Sequence, residues 1–231
     1  MQTVLEVKQV TKRYGQQYAL DHVSLSIQKG DIYGLIGKNG AGKTTLLKTI
    51  SRLIHANSGT VSVFGSQNSK EWNEALRKIG TVIETPVAYN QMTAYQNLNY
   101  YCKVHQIAQP DQLIKETLAY VGLSNTGKKK FRNFSLGMKQ RLGIAIALIN
   151  KPELMILDEP INGLDPLGIK EFRLMIQRIS QELGTPLIIS SHILSELSLV
   201  ATKFGVLEQG KLVTEFTKEE FDPQLIPEQL N

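Results

Sequence analysis

Apolar and polar residues alternate near both ends of the chain, while the middle carries a helical period. Val4 to Val10 alternates, as do Val23, Leu25 and Ile27 with Ser24 and Ser26. The first thirty or so residues therefore read as half-buried antiparallel strands, closed by a turn at Lys29-Gly30-Asp31. Ile32 to Ile36 is a short apolar run ending at Gly37. After a glycine-rich stretch, Leu46, Leu47, Ile50, Leu53 and Ile54 give helical spacing, which predicts a helix over Thr44 to Ile54. Ser58-Gly59 turns into a third antiparallel strand, Thr60 to Phe64. Gly80 to Glu84 reads as a further strand, stopped by Pro86.

From Thr93 to about Asn150 the texture is helical. Thr93 with Gln96 three residues later forms a capping box for a helix through His105, Pro110 opens the next helix, and Gly122 closes it. Ser135 is another helix-starting signal. Beyond Pro152 the alternating α/β pattern returns. It gives a strand Leu154 to Leu157, a helix from Pro166 behind an Asp165 N-cap, a strand Leu187 to Ser191, and a hairpin Phe204 to Phe216 around Gln209-Gly210. The division this implies is one domain over 1–231. An α/β core with an antiparallel β subdomain is formed by 1–84 and 151–216, a helical block 85–150 is inserted into it, and 217–231 is a loose tail.

Composition narrows this picture. At 231 residues and 42% hydrophobic content, the chain has enough apolar surface for a sizeable core. Its 26 Lys and Arg against 21 Asp and Glu leave +5, a mild excess that suits a phosphate-rich substrate, an anionic partner or an acidic membrane face. The longest apolar run, Leu142 to Ile149, is far short of the roughly 18 to 20 residues that span a bilayer, and Met1 through Gly15 carries no signal-peptide pattern. The expectation is a soluble, cytoplasmic protein. Cys102 is the single cysteine and reads as a spectator thiol, so intrachain disulfides and multi-cysteine metal sites are excluded.

Two motifs carry chemistry. Gly37-Lys38-Asn39-Gly40-Ala41-Gly42-Lys43-Thr44 has the phosphate-loop spacing, with on the order of 0.01 chance matches expected in a chain of this composition. Its glycines let backbone N–H groups converge on phosphate oxygens. The following helix start adds positive partial charge, Lys43 a full cation, and Thr44 a hydroxyl able to hold Mg²⁺. The second motif, Leu154 to Glu159, is an apolar strand ending in two carboxylates. Buried strand-end acids are costly unless they meet a metal or a proton donor. Beside a phosphate loop, Asp158 would anchor hydrated Mg²⁺ and Glu159 would polarise the water attacking a γ-phosphate. Helix capping is the bland alternative for these acids.

These motifs appear in order with Phe134-Ser135-Leu136-Gly137-Met138-Lys139-Gln140-Arg141 between them, Asn162-Gly163-Leu164-Asp165 after them, and Ser190-Ser191-His192 further on. Over nearly its whole length the chain thus resembles the ATP-binding subunit of ABC transporters. The resemblance implies an α/β P-loop NTPase fold with a RecA-like core, an antiparallel β subdomain and an inserted α-helical subdomain. It also implies ATP hydrolysis with Mg²⁺, a separate membrane permease, and a second ATP-binding subunit, here a homodimer, at the inner face of the membrane. By the same resemblance, Gly37 to Thr44 with Thr45 is Walker A, Asp158 and Glu159 belong to Walker B, and Ser135 and Gly137 form the signature loop that binds ATP held by the opposite subunit. Asp165 lies in the D-loop, His192 contacts the γ-phosphate, and Tyr14 stacks on adenine. Each of the last group also has a plainer reading: Ser135 and Asp165 as helix caps, His192 as a structural histidine, Tyr14 as strand packing.

The chain departs from the family pattern in two places. Glu84 stands where the family's loop glutamine would be, which places a carboxylate toward Mg²⁺, and Phe134-Ser135-Leu136-Gly137-Met138 replaces Leu-Ser-Gly-Gly-Gln. Both look like the bacitracin-resistance and lantibiotic-immunity branch of ABC exporters. A soluble ABC-type ATPase acting on ribosomes or nucleic acid is the competing reading, opposed by the single cassette and the lack of a heptad run. The basic run Lys128-Lys129-Lys130 with Arg132 reads as a solvated loop, and no nucleic-acid partner is expected. A third reading, a module that binds ATP without turnover, is disfavoured by the presence of Lys43, Asp158, Glu159 and His192 together.

Overall fold

The structure is a computed structural model describing residues 2–66 and 69–220. Two long strands open the chain, β1 (Thr3–Tyr14) and β2 (Gln17–Gln28), and the core strand β3 (Ile32–Ile36) follows. Then come helix α1 (Lys43–Ile50), β4 (Ser58–Val63), α2 (Ser69–Arg77) and β5 (Ile79–Val82). The central block holds α3 (Ala94–Val104), α4 (Pro110–Tyr120) and α5 (Leu136–Leu148). The chain returns through β6 (Leu154–Asp158), α6 (Pro166–Leu183), β7 (Leu187–Ser191), α7 (Leu194–Leu197), β8 (Lys203–Glu208) and β9 (Lys211–Thr217).

Three strands form an antiparallel sheet in the order β2-β1-β4, and six form a second sheet in the order β5-β6-β7-β3-β8-β9. In the second sheet every neighbour pair is parallel except β8 with β9. β3, β6 and β7 are buried at every position, as expected of parallel strands covered on both faces. One apolar core, with Leu5, Ile27, Leu46, Leu47 and Ile188, joins the antiparallel sheet to α1 and one face of the large sheet. A second, with Leu98, Leu142, Leu157 and Ile176, joins the other face to the helical block and α6.

The predicted capping box at Thr93 is complete, with Gln96 N–H donating to the Thr93 hydroxyl and the Gln96 side chain accepting from Thr93 N–H. The block's closest approach to the core runs through α5. A Cβ on Gly143 would lie 2.8 Å from Pro86, so only glycine lets the helix rest against the segment leaving β5. α1 ends at Ile50, short of the expected Ile54. Ser51 Oγ donates back to Leu47 O, Arg52 takes φ 54°, and the N–H groups of Leu53 and Ile54 both turn to Lys48 O. Helices α2 and α7 carry too short an apolar period to be read from sequence. The expected loose tail lies mostly outside the described residues.

Candidate functional site

The register of the parallel strands assembles the site. Ile36, the last residue of β3, is level with Ser191 of β7, and Ser190 is level with Asp158 at the end of β6. The glycine-rich loop, the two carboxylates and the serine-histidine stretch therefore emerge at one edge, the carboxyl ends of the strands, where α/β sheets of this kind take their ligands.

The loop leads into α1 with no side-chain cap and no acidic residue in the first turn, so its leading N–H groups remain available to an anion. Gly42 takes φ 109°, and a Cβ there would lie 2.4 Å from the Ala19 carbonyl oxygen, a position closed to any other residue. The buried Lys43 ammonium donates to Gly37 O at 2.5 Å and Lys38 O at 3.1 Å. Lys38, Asn39, Gly40, Gly42, Lys43, Thr44, Thr45 and Glu159, with Ala19, line a cleft of about 250 Å³.

Asp158 is buried, yet both of its oxygens are occupied. Oδ2 accepts from Thr44 Oγ1 at 2.8 Å and Oδ1 from Ser190 Oγ at 2.6 Å, which offsets the several kcal/mol that an unpartnered carboxylate would cost there. Ser190 also accepts from Glu159 N–H at 2.9 Å, tying both acids to β7. Glu159 has φ 46°, a left-handed backbone that is uncommon for a residue other than glycine and turns its side chain off the strand direction. Its Oε2 lies 2.9 Å from His192 Nδ1 and its Oε1 3.1 Å from Lys43 Nζ, the latter an ion pair without hydrogen-bond alignment.

The donor chemistry fits Mg²⁺. The Thr44 hydroxyl and the Asp158 carboxylate are hard oxygen donors, 2.8 Å apart, beside the phosphate loop. Among the described residues no group of three or more His, Cys, Asp or Glu side chains is arranged to hold a metal.

Other expected site residues do not line this cleft. Glu84, at φ 62° just past β5, places Oε1 2.5 Å from Lys48 Nζ on α1, one helical turn beyond Thr44. Tyr14 ends β1 and is 55% exposed, with Lys12 Nζ 5.3 Å from its ring centroid, so its face is not spent on packing. Ser135 caps α5, accepting from Met138 N–H at 3.3 Å, and Asp165 caps α6, accepting from Gly168 N–H at 3.1 Å. Gly137 neighbours Leu164, so these two caps belong to one surface. Cys102 is buried, and burial pushes its thiol up, in keeping with a spectator.

Two contributors escaped the sequence reading. Ser190 was visible only as part of a motif, and its role as donor to Asp158 and acceptor for Glu159 depends on strand register. Lys48 carries no local signal, because its pairing with Glu84 joins positions 36 residues apart.

Comparison with known proteins agrees with this geometry. The sequence matches the ABC transporter family over residues 20–162, a span from the approach to the phosphate loop through both strand-end acids. Bacitracin transport ATP-binding protein BcrA of Bacillus licheniformis is 46% identical over 215 residues, covering 93% of this chain and 70% of that protein. Lantibiotic transport ATP-binding protein SrtF of Streptococcus pyogenes is 44% identical over 213 residues, covering 92% and 90%. A solved ATP-binding subunit of an ABC transporter, 28% identical, superposes with a TM-score of 0.83 over 96% of this chain and 93% of that one. With the fold, the order of its motifs and its relatives in agreement, the chain belongs to the ABC transporter family, as an ATP-hydrolysing ATP-binding subunit.

Proposed function

We propose that this subunit hydrolyses MgATP to power a separate membrane permease that removes a peptide antibiotic of the bacitracin or lantibiotic kind. The observation that carries the hydrolytic part is Glu159, held between His192 and Lys43 at the mouth of the phosphate loop. Lys43 and the N–H groups opening α1 bind the β- and γ-phosphates, and Tyr14 offers its ring to the adenine. Thr44 and Asp158 would hold Mg²⁺, which when bound neutralises charge building on the phosphate oxygens. Glu159 takes a proton from the attacking water, and His192 fixes the orientation of that carboxylate.

The exposed caps at Ser135 and Asp165 do not line the chain's own phosphate-loop cleft, and this supports a second copy closing on each nucleotide, two equal sites in a homodimer. A separate permease that holds the subunit at the inner membrane face is supported by the transport ATP-binding proteins the chain resembles; among the described residues no helix is long and apolar enough to cross a membrane. A docking place is supported by a groove of about 340 Å³ between β5 and the helical block, where Pro86, Val87, Tyr101, Gly143 and Ile146 present an apolar floor to a cytoplasmic helix of the permease.

The substrate reading rests on the transport proteins the chain resembles, together with Glu84 and the Ser135-Leu136-Gly137-Met138 loop. Deleting the gene and challenging cells with bacitracin, lantibiotics and unrelated drugs tests it. Selective sensitisation to the peptide antibiotics is expected. Unchanged sensitivity to all of them removes the substrate and leaves the ATPase.

A further inference from the structure

We propose that Lys48 is a positioning residue of the nucleotide site, the counter-charge that holds the Glu84 carboxylate against the flank of α1. The proposal rests on the ATPase reading above. Thr44 and Lys48 are four residues apart and so share a face of α1, the helix whose start receives the phosphates. Lys48 is fixed from its backbone outward, because its carbonyl accepts from both Leu53 N–H and Ile54 N–H where the helix ends. Its ammonium reaches Glu84 Oε1 at 2.5 Å.

Glu84 meets it through an unusual backbone. At φ 62° the residue sits in the left-handed region, which costs free energy for any side chain with a Cβ and turns the chain where β5 ends. That turn and the ion pair bring the carboxylate to the same place, beside α1. An exposed pair adds little to folding, and the Glu84 side chain is 61% exposed, so stability does not account for the arrangement. Charge does. A bare carboxylate beside the helix that opens at the phosphate loop repels a triphosphate. With Oε1 neutralised by Lys48, the residue can stay there and offer Oε2, which makes no hydrogen bond among the described residues, toward a hydrated divalent ion.

The test uses the full chain and a fluorescent ATP analogue, reading the Mg²⁺ concentration for half-maximal nucleotide binding, with ATP turnover measured alongside. Lys48→Met is expected to raise that concentration about fivefold, and Lys48→Arg to leave it near the parent value. The informative variant is the double change Lys48→Met with Glu84→Gln. A neutral amide needs no counter-charge, so the double variant should return to within about twofold of Glu84→Gln alone. Thermal melting separates a folding defect, because destabilisation by Lys48→Met would persist in the double variant while binding recovers. The proposal is overturned if Lys48→Met titrates like the parent, or if the double variant is no better than Lys48→Met. A parent chain that neither binds nor hydrolyses ATP overturns the ATPase reading and this proposal together, whereas a competent parent with uncoupled variants overturns this one alone.

Discussion

The carboxyl edge of the parallel sheet and the starts of α5 and α6 present their polar groups in opposite ways. At the sheet edge, Asp158 and Lys43 are each only 5% exposed, and each finds its partners inside the chain: two hydroxyls for the acid, two carbonyls and Glu159 for the cation. At the starts of α5 and α6, Ser135 is exposed with one local hydrogen bond, Asp165 is exposed with one, and Leu136 leaves 45% of its surface to solvent. One surface is complete within a single fold. In the proposed dimer the other acts only against a second subunit, as a contributed half-site would.

The largest effect is expected where the internal surface is broken at its reacting group. Glu159→Gln keeps the shape and the backbone N–H donation to Ser190 but removes the base, so turnover should fall by about 10²-fold or more while ATP binding survives. Phosphate release together with equilibrium nucleotide binding checks this. Near-parental turnover would move the base elsewhere, with His192 next in line. Lys43→Ala should act differently, weakening nucleotide binding itself by roughly 2 kcal/mol, because it removes a desolvated cation aimed at the phosphates. A Lys43→Ala chain that bound ATP normally would show that the loop N–H groups alone hold the triphosphate.

How much of this contrast the sequence revealed depends on distance along the chain. The phosphate loop was legible because all eight of its residues are contiguous and glycine spacing is rare by chance. The caps at Thr93, Ser135 and Asp165 were legible because a cap spans only four residues. The end of α1 was not, since apolar spacing continues through Leu53 and Ile54 and only the turn at Arg52, at φ 54°, breaks it. α2 was missed because its apolar residues Trp72, Ala75 and Leu76 occupy a single turn of an otherwise polar segment. Ser190 and Lys48 were missed as contributors because their meaning lies in pairings across the sheet edge, which no local pattern encodes.

A smaller effect sharpens the other half of the comparison. Ser135→Ala removes an N-cap, which costs about 1 kcal/mol of stability. The isolated subunit should still bind nucleotide like the parent. ATP-dependent self-association, followed by sedimentation in the Glu159→Gln background, should weaken beyond what the stability loss explains. Equal association with and without the Ser135 hydroxyl would reduce this surface to a helix cap and erase the contrast with the sheet edge.

The smallest expected effect tests whether the core and the helical block communicate across the groove between them. His105 ends α3 in the helical block, and its imidazole is held below its ordinary value of 6.5, first by burial and then by the charge of Arg77, the last residue of α2 on the core side. The folded chain thus binds fewer protons at this site than the unfolded chain. The contribution to stability is fully present above about pH 6.5 and is lost as pH falls through the lower folded value. Arg77→Gln should move the His105 midpoint part of the way back toward 6.5, read from the ring proton signals in an NMR titration, and should reduce the stability lost on acidification. The shift should be partial, because the burial contribution remains. An unmoved midpoint would mean that burial alone sets the histidine and that Arg77 and the helical block share a groove without sharing a field. A full return to 6.5 would mean that the groove is wetter than its apolar floor implies, and would weaken the case for a helix docking there.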